Sequence, residues 1–306
     1  MTITIILRLG VNRFNKGIVM QKLRKIFKAT VNGDIDKVKQ YVIQGFDINK
    51  VDINGYTLLH WAIQEGHIDL VRYLVDQGAD INKLDAEGIS PLELACTKGH
   101  FEIVKLLITN NCDLKLNRNN YTPLHSAAAT GRYHIVKFLL DNGMDVNKQD
   151  SGGYTAIHWA TQERHLKIIE LLTDSGGNLE LKDTNGFTPL YIAASEGYKE
   201  IVEFLINKGV DINCRAFGAS NITPLGIASI YNHIDIVEFL LKNKADIEAS
   251  DDEGRTPLFN AALQGNTDVV QLMLNYGAAT NISDLNGLIL KDILKIKGGV
   301  SFLDNQ

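Results

Sequence analysis

The sequence predicts an all-α solenoid of repeated helix-turn-helix units, and three observations predict it. A hydroxyl residue recurs at Thr57, Ser90, Thr122, Thr155, Thr188, Thr223 and Thr256, with successive spacings of 33, 32, 33, 33, 35 and 33 residues. Every proline (Pro91, Pro123, Pro189, Pro224, Pro257) directly follows one of those hydroxyls. An apolar block stands thirteen residues after each hydroxyl, as in LVRYL at 70–74, IVKLL at 103–107 and IVEFL at 201–205.

Each element follows from local chemistry. Ser or Thr caps a helix by accepting a backbone N–H, and proline suits the first helical position because its missing N–H has no partner to lose. The first helix therefore starts at the hydroxyl, less tightly where Leu58 or Ala156 replaces the proline. The second block has apolar residues at its first, second, fourth and fifth places, which is helical spacing. Gly45, Gly78, Gly143, Gly176, Gly209 and Gly277 then stand where a helix ends in a left-handed residue. Two positions before each hydroxyl the residue is glycine, or else Asn120 or Asn221, so a turn at positive φ is expected there. Asp52, Asp85, Asp150, Asp183 and Asp251 share one phase at the start of this hairpin-like finger, where aspartate caps a turn through its side chain.

The strings TPLHSAAATG (122–131), TPLYIAASEG (188–197), TPLFNAALQG (256–265) and GADIN (78–82) resemble the ankyrin repeat, a unit of a β-turn and two antiparallel helices. The resemblance covers about residues 24–290 and implies an ankyrin-repeat solenoid whose units are joined by β-hairpin-like finger loops. The expected organisation is a basic N-terminal extension at 1–23, an array at 24–297 with caps at 24–50 and 283–297, and a tail at 298–306. Initiation at Met20 instead of Met1 would start the chain directly at the first cap.

Composition bounds the function. The chain has 306 residues and a formal net charge of -5. Residues 1–33 hold seven Lys or Arg and no acid, so the body is more acidic than the total suggests, which argues against nucleic acid as a partner. No apolar run is long enough to span a bilayer. Cys96, Cys112 and Cys214 are odd in number, far apart and without metal-ligand spacing, as expected of reduced thiols in a cytoplasmic protein. The sparse proline and the Asn, Ile and Lys usage suit an AT-rich genome, which adds delivery into a host cell cytosol as the alternative location.

Residues 55–67 (GYTLLHWAIQEGH) and 153–165 (GYTAIHWATQERH) look like a metal site until the period is seen. His60, His125 and His158 follow their hydroxyls by three residues, and His67, His100, His165 and His233 by ten. The resemblance implies that such histidines hold backbone loops by hydrogen bonds, so neither metal nor cofactor is expected. No phosphate loop, nucleophile elbow or carboxylate pair stands outside the repeat pattern, so no enzyme is expected either.

What the resemblance implies is protein binding on the concave face of fingers and first helices. The residue before each hydroxyl lies near a finger tip, where Tyr56, Tyr121, Tyr154 and Phe187 are expected to be exposed, with Arg255 in the last finger. Trp61 and Trp159 lie four residues after their hydroxyls, and Glu65, Glu163 and Glu196 flank them on the first helices. Tyrosine and tryptophan are common hot spots, so the expectation is an aromatic groove with an acidic edge, used by a monomeric scaffold or inhibitor of a partner protein. The alternative is packing of these rings against adjacent fingers.

On the second helices Lys39, Arg72, Lys105 and Lys137 give way to Glu170, Glu203, Glu238 and Gln271. That polarised convex face, with the basic N-terminus, supports a second reading: a regulatory chain that self-assembles or is tethered to an anionic membrane. Two departures mark weak points: the finger before Thr122 is one residue short, and the finger before Thr223 is two residues long and expected to bend or fray at 214–222. Arg164 stands where a glycine closes the first helix, at about 1 kcal/mol of left-handed strain.

Overall fold

The computed structural model describes residues 13–115 and 118–296, so the start of the N-terminal extension and the tail at 298–306 lie outside the described residues. The chain forms two compact units, one up to Arg118 and one from Asn119, divided within the short finger. Among the described residues there are seventeen α-helices and one short 3-10 turn, and no strand. None of these helices is long and apolar enough to cross a membrane.

The first unit runs α1 (Arg13–Val31), α2 (Ile35–Ile43), α3 (Leu58–Gln64), α4 (Ile68–Asp76), α5 (Pro91–Lys98) and α6 (Phe101–Thr109). Helix α1 begins ahead of residue 24, where the array was expected to start. Inner helices α1, α3 and α5 pack in succession, and each is backed by an outer helix.

The second unit repeats this with α7 (Pro123–Ala129), α8 (Tyr133–Asp141), α9 (Ala156–Gln162), α10 (Leu166–Asp174), α11 (Pro189–Glu196) and α12 (Lys199–Asn207). It continues with α13 (Pro224–Ile230), α14 (Ile234–Lys242), α15 (Pro257–Gln264), α16 (Thr267–Asn275) and α17 (Leu290–Ile296). The odd-numbered helices again pack one on the next.

The hydroxyl residues cap as their chemistry requires. Thr57, Ser90, Thr155, Thr188, Thr223 and Thr256 each accept from the backbone N–H three residues on. A histidine three residues on closes the cap from the other side, with or without proline: the Thr57 N–H donates to His60 Nδ1 at 3.2 Å, the Thr155 N–H to His158 Nδ1 at 3.1 Å and, beside Pro123, the Thr122 N–H to His125 Nδ1 at 2.9 Å. This is a reciprocal capping box with histidine in the third place.

Short helices of seven to nine residues are marginal alone, so the stack is held by what they bury. Leu58, Leu59, Ala62 and Ile63 of α3 meet Leu70, Val71 and Leu74 of α4 in the core, and the equivalents recur in each unit. Each such Leu or Ile contributes about 1.5–3 kcal/mol on burial.

Side chains at the start of each outer helix tie neighbouring repeats. His67 Nε2 donates to the Val31 carbonyl (2.9 Å), His165 Nε2 to Ala129 (3.2 Å) and His233 Nε2 to Ser195 (2.9 Å), with Tyr198 and Asn266 serving in later repeats. At the histidine links the glycine of the preceding repeat is packed against the ring: a Cβ on Gly131 would fall 2.9 Å from His165, and one on Gly197 would fall 2.7 Å from His233.

Fingers are bonded to each other through backbone. Ala86 N–H donates to Asn54 O, Ser151 to Asn119, Thr184 to Gly152, Gly218 to Asn185, Asp252 to Ser220 and Leu285 to Glu253, at 2.7–3.0 Å. The long finger expected to fray at 214–222 is part of this ladder. It folds into a 3-10 turn (Phe217–Ala219), and Arg215 Nη1 and Asn221 Nδ2 also bond the next finger, to the Ser250 carbonyl and the Asp252 carboxylate. Asn120 (φ 60°), Asn221 (φ 57°) and Arg164 (φ 59°) are left-handed where glycine was missing.

Candidate functional site

The finger is organised by its aspartate. Asp150 donates its N–H to the Tyr154 carbonyl, and its Oδ1 accepts from the N–H groups of Gly152 and Tyr154 at 2.8 and 2.9 Å. Asp52, Asp183, Asp251 and Asp284 repeat this construction. The second oxygen is left over, and the residue nine positions on decides its fate. The Trp61 indole N–H donates to Asp52 Oδ2 (2.9 Å), Trp159 to Asp150 Oδ2 (3.0 Å) and Asn260 Nδ2 to Asp251 Oδ2 (2.9 Å). Ile192 has nothing to donate, and Asp183 Oδ2 is buried without a hydrogen-bond partner among the described residues.

The rings expected to be exposed at the finger tips are half-buried. Each lies on the side chain three residues after its cap. Tyr56 stacks on His60 at 5.3 Å between centroids, Tyr121 on His125 at 5.4 Å, and Phe187 on Tyr191 at 4.7 Å and 10°, while Tyr154 is tilted over His158 at 5.4 Å. Trp61 meets Tyr56 edge-on at 5.3 Å. Trp159 stands between two tyrosines, with Tyr121 edge-on at 5.4 Å and Tyr154 at 5.3 Å. Burial, with the Asp183 and Asp150 carboxylates nearby, pushes the Tyr154 hydroxyl above its usual range.

Beyond the rings, Glu65, Glu163 and Glu196 are exposed where α3, α9 and α11 end. Arg255 stands apart from them: its Nε and Nη2 both donate to Asp284 Oδ2 at 3.1 Å, so its charge is spent inside the chain. The nine-residue spacing from Asp52 to Trp61 and from Asp150 to Trp159 was the available signal for the indole anchor, and sequence reasoning had left it unread.

In the histidine column His125 and His158 hold loops, whereas His60 Nε2 is buried without a hydrogen-bond partner among the described residues. His125 accepts the Thr122 N–H on Nδ1 (2.9 Å) and donates from Nε2 to the Lys148 and Tyr154 carbonyls at 3.0 and 3.1 Å. His158 donates to the Phe187 carbonyl at 3.1 Å. Burial lowers the pKa of His60, His125 and His158, so each is neutral with its proton on Nε2. Among the described residues no three His, Cys, Asp or Glu side chains converge as a metal site would need. Burial pushes the Cys112 and Cys214 thiols up to about 11, away from nucleophilic use.

One further side chain belongs to this column. Glu93 stands three residues after Ser90, where the histidines stand, and is only 4% exposed. Its Oε2 has no hydrogen-bond partner, and burial raises its pKa to about 7 against the opposing pull of Arg118.

On the outer helices several of the charges that run from cationic to anionic are met locally. Lys105 pairs with Glu102 at 3.1 Å, Glu203 with Lys199 at 3.9 Å and Glu238 with Lys242 at 2.6 Å, while the Lys39 ammonium lies over Tyr73 at 5.5 Å.

The architecture defines a helical repeat protein whose fingers and inner helices offer one semi-exposed face. The family described as Ankyrin repeats (3 copies) matches residues 26–118, 69–150, 105–183, 147–216 and 216–284, and the chain belongs to the ankyrin-repeat family. Ankyrin repeats are generally protein-protein interaction modules. No curated protein matches the chain.

Proposed function

We propose that the chain is a non-catalytic scaffold or inhibitor that binds a partner protein through its fingers and inner helices. The observation that carries this reading is Trp159: its indole is fixed by Asp150 and flanked by Tyr121 and Tyr154, yet the ring remains half-exposed beside the free carboxylate of Glu163. A large ring held rigid before binding loses little entropy on contact, which is what makes such residues hot spots. Tyr56, Trp61 and Glu65 form the same arrangement in the first unit, and Phe187 and Glu196 extend it in the second. The outer-helix face is the weaker candidate, because Lys105, Glu203 and Glu238 are paired along their own helices and no large ring is anchored among them.

The test is affinity capture from lysate with the full chain and with a Tyr56→Ser, Tyr121→Ser, Tyr154→Ser, Phe187→Ser variant of unchanged circular dichroism. A protein retained by the wild type and lost by the variant is the expected result. Identical capture by both would reduce the rings to packing.

A further inference from the structure

The second unit carries a charge imbalance on the proposed binding face, and it restricts what can dock there. Trp159 lies on α9 one turn before Glu163, so the two share a side of the helix. Glu196 holds the same position in the next repeat, on α11. Neither glutamate forms an ion pair or hydrogen bond among the described residues. In the fingers of the same repeats, the Asp150 carboxylate accepts from the Gly152 and Tyr154 N–H groups and from the Trp159 indole, and Asp183 Oδ1 accepts from the Asn185 and Phe187 N–H groups.

The cations Lys182, Arg215 and Arg164 of these segments hold other partners and bond neither glutamate. The Lys182 ammonium donates to the Arg215 carbonyl, Arg215 to those of Asn221 and Ser250, and Arg164 pairs with Glu200 on the outer side. The last finger shows the contrast, since its Asp284 is compensated by Arg255. Glu163 and Glu196, exposed and without an ion pair among the described residues, together with an indole held by the Asp150 carboxylate, form a surface complementary to positive charge. The π face of tryptophan adds to this, being the most favourable of the aromatic faces for a guanidinium or ammonium group.

We infer that the face formed by Trp159, Glu163 and Glu196 receives a basic segment of the partner protein, with one Arg or Lys against Trp159 and Glu163 and a second at Glu196. This inference rests on the reading of the face as a partner-binding surface and names the chemistry of the partner. Alternating Arg with small residues, such a segment would lie across two repeats, its guanidinium groups reaching carboxylates one repeat apart.

The chain itself supplies the reporter, because Trp61 and Trp159 are its only tryptophans. In the full chain carrying Trp61→Phe, an alternating Arg–Ala peptide with blocked ends should shift Trp159 emission saturably, and the matching Glu–Ala peptide should not. The variant Glu163→Gln/Glu196→Gln should weaken that binding about tenfold, while Glu170→Gln/Glu203→Gln, removing the same charge from the outer helices of the same repeats, should stay within about twofold.

Equal losses in the two double variants would mean attraction to net charge alone and overturn the inference. So would binding that leaves Trp159 emission unchanged, or no binding of the Arg–Ala peptide. If the lysate capture succeeds while the Arg–Ala peptide fails, the binding face stands and its partner is not basic. If the finger variant captures the same proteins as wild type while the peptide binds Trp159, the basic-segment site stands and the broader aromatic surface falls.

Discussion

The repeat that starts at Thr155 and the repeat that starts at Ser90 place His158 and Glu93 at one position, three residues into the inner helix, and the fold serves them oppositely. His158 spends both ring nitrogens: Nδ1 takes the Thr155 N–H and Nε2 gives to the Phe187 carbonyl in the next finger. Glu93 is as deeply buried and leaves Oε2 with no partner. A neutral imidazole matches a site that offers one donor below and one carbonyl above. A carboxylate has no proton to give that carbonyl unless it is protonated. The difference teaches that the position demands a donor, and that what looks like a solvent-facing acid in the sequence is held at a proton balance set by burial.

The largest effect should come from breaking the served member. His158→Ala removes a capping partner and a finger-to-finger donor from a buried place, leaving the Phe187 carbonyl unmatched. A loss of about 3 kcal/mol in urea unfolding is expected. A change below about 1 kcal/mol, at the level of an ordinary hydrogen bond, would show that the column is not what links the fingers.

Titration sharpens the same contrast, because the two groups shift in opposite directions. The lowered pKa values of His60, His125 and His158 mean that the unfolded chain takes up protons first on acidification. Their stabilisation is whole above about pH 6.5 and is lost as pH falls through the folded values. Glu93 runs the other way: with its folded pKa raised to about 7, the folded state keeps a proton that the unfolded chain releases from about pH 4.5 upward. Its contribution is whole at low pH and lost as pH rises through about 7. The Glu93 contribution therefore declines between about pH 4.5 and 7 and is flat above neutrality, and Glu93→Gln should remove that decline, a gain of about 2 kcal/mol that is complete above about pH 7. A Glu93→Gln chain that keeps the wild-type profile between about pH 4.5 and 7 would mean that the carboxylate is ionised and solvated in the folded chain.

Much of this fold was legible in the chain because its signals are local. Thr57 caps α3 and Pro91 opens α5 through contacts within four residues, and Asn120 marks a left-handed turn by its own conformational tolerance. What escaped was set by how the finger folds back on its own inner helix and by residues of the next finger. Tyr56 and Tyr121 read as exposed tips because nothing beside them in sequence covers them, whereas His60 and His125 come under them once the inner helices turn. Arg255 read as a partner-binding residue of the last finger, and it is Asp284, in the following finger, that pairs with it. Glu93 was legible in principle from its phase with the histidines. Its charge type hid it, since glutamate in a short helix reads as solvent-facing.

The smallest effect compares two left-handed positions, one at the end of an inner helix and one at the end of an outer helix. Lys244 and Arg164 are both left-handed, with φ of 66° and 59°, at places where other repeats use glycine. Lys244 is exposed, and at the equivalent glycines Gly45, Gly78, Gly143, Gly176, Gly209 and Gly277 nothing lies within 4 Å of where a Cβ would sit. Its strain is therefore backbone strain alone, of about 1 kcal/mol, and glycine would return part of that as lost freedom of the unfolded chain. Lys244→Gly should raise stability by about 0.5 kcal/mol. Arg164 has the same strain but pairs with Glu200 at 3.3 Å and lies over the Tyr198 ring at 5.5 Å, and an exposed pair of this kind contributes about 0.2–1 kcal/mol. Arg164→Gly should therefore be neutral within error, so that urea midpoints of the two variants differ in rank. If Arg164→Gly stabilises as much as Lys244→Gly, the guanidinium contacts contribute nothing, and left-handed strain alone accounts for both positions.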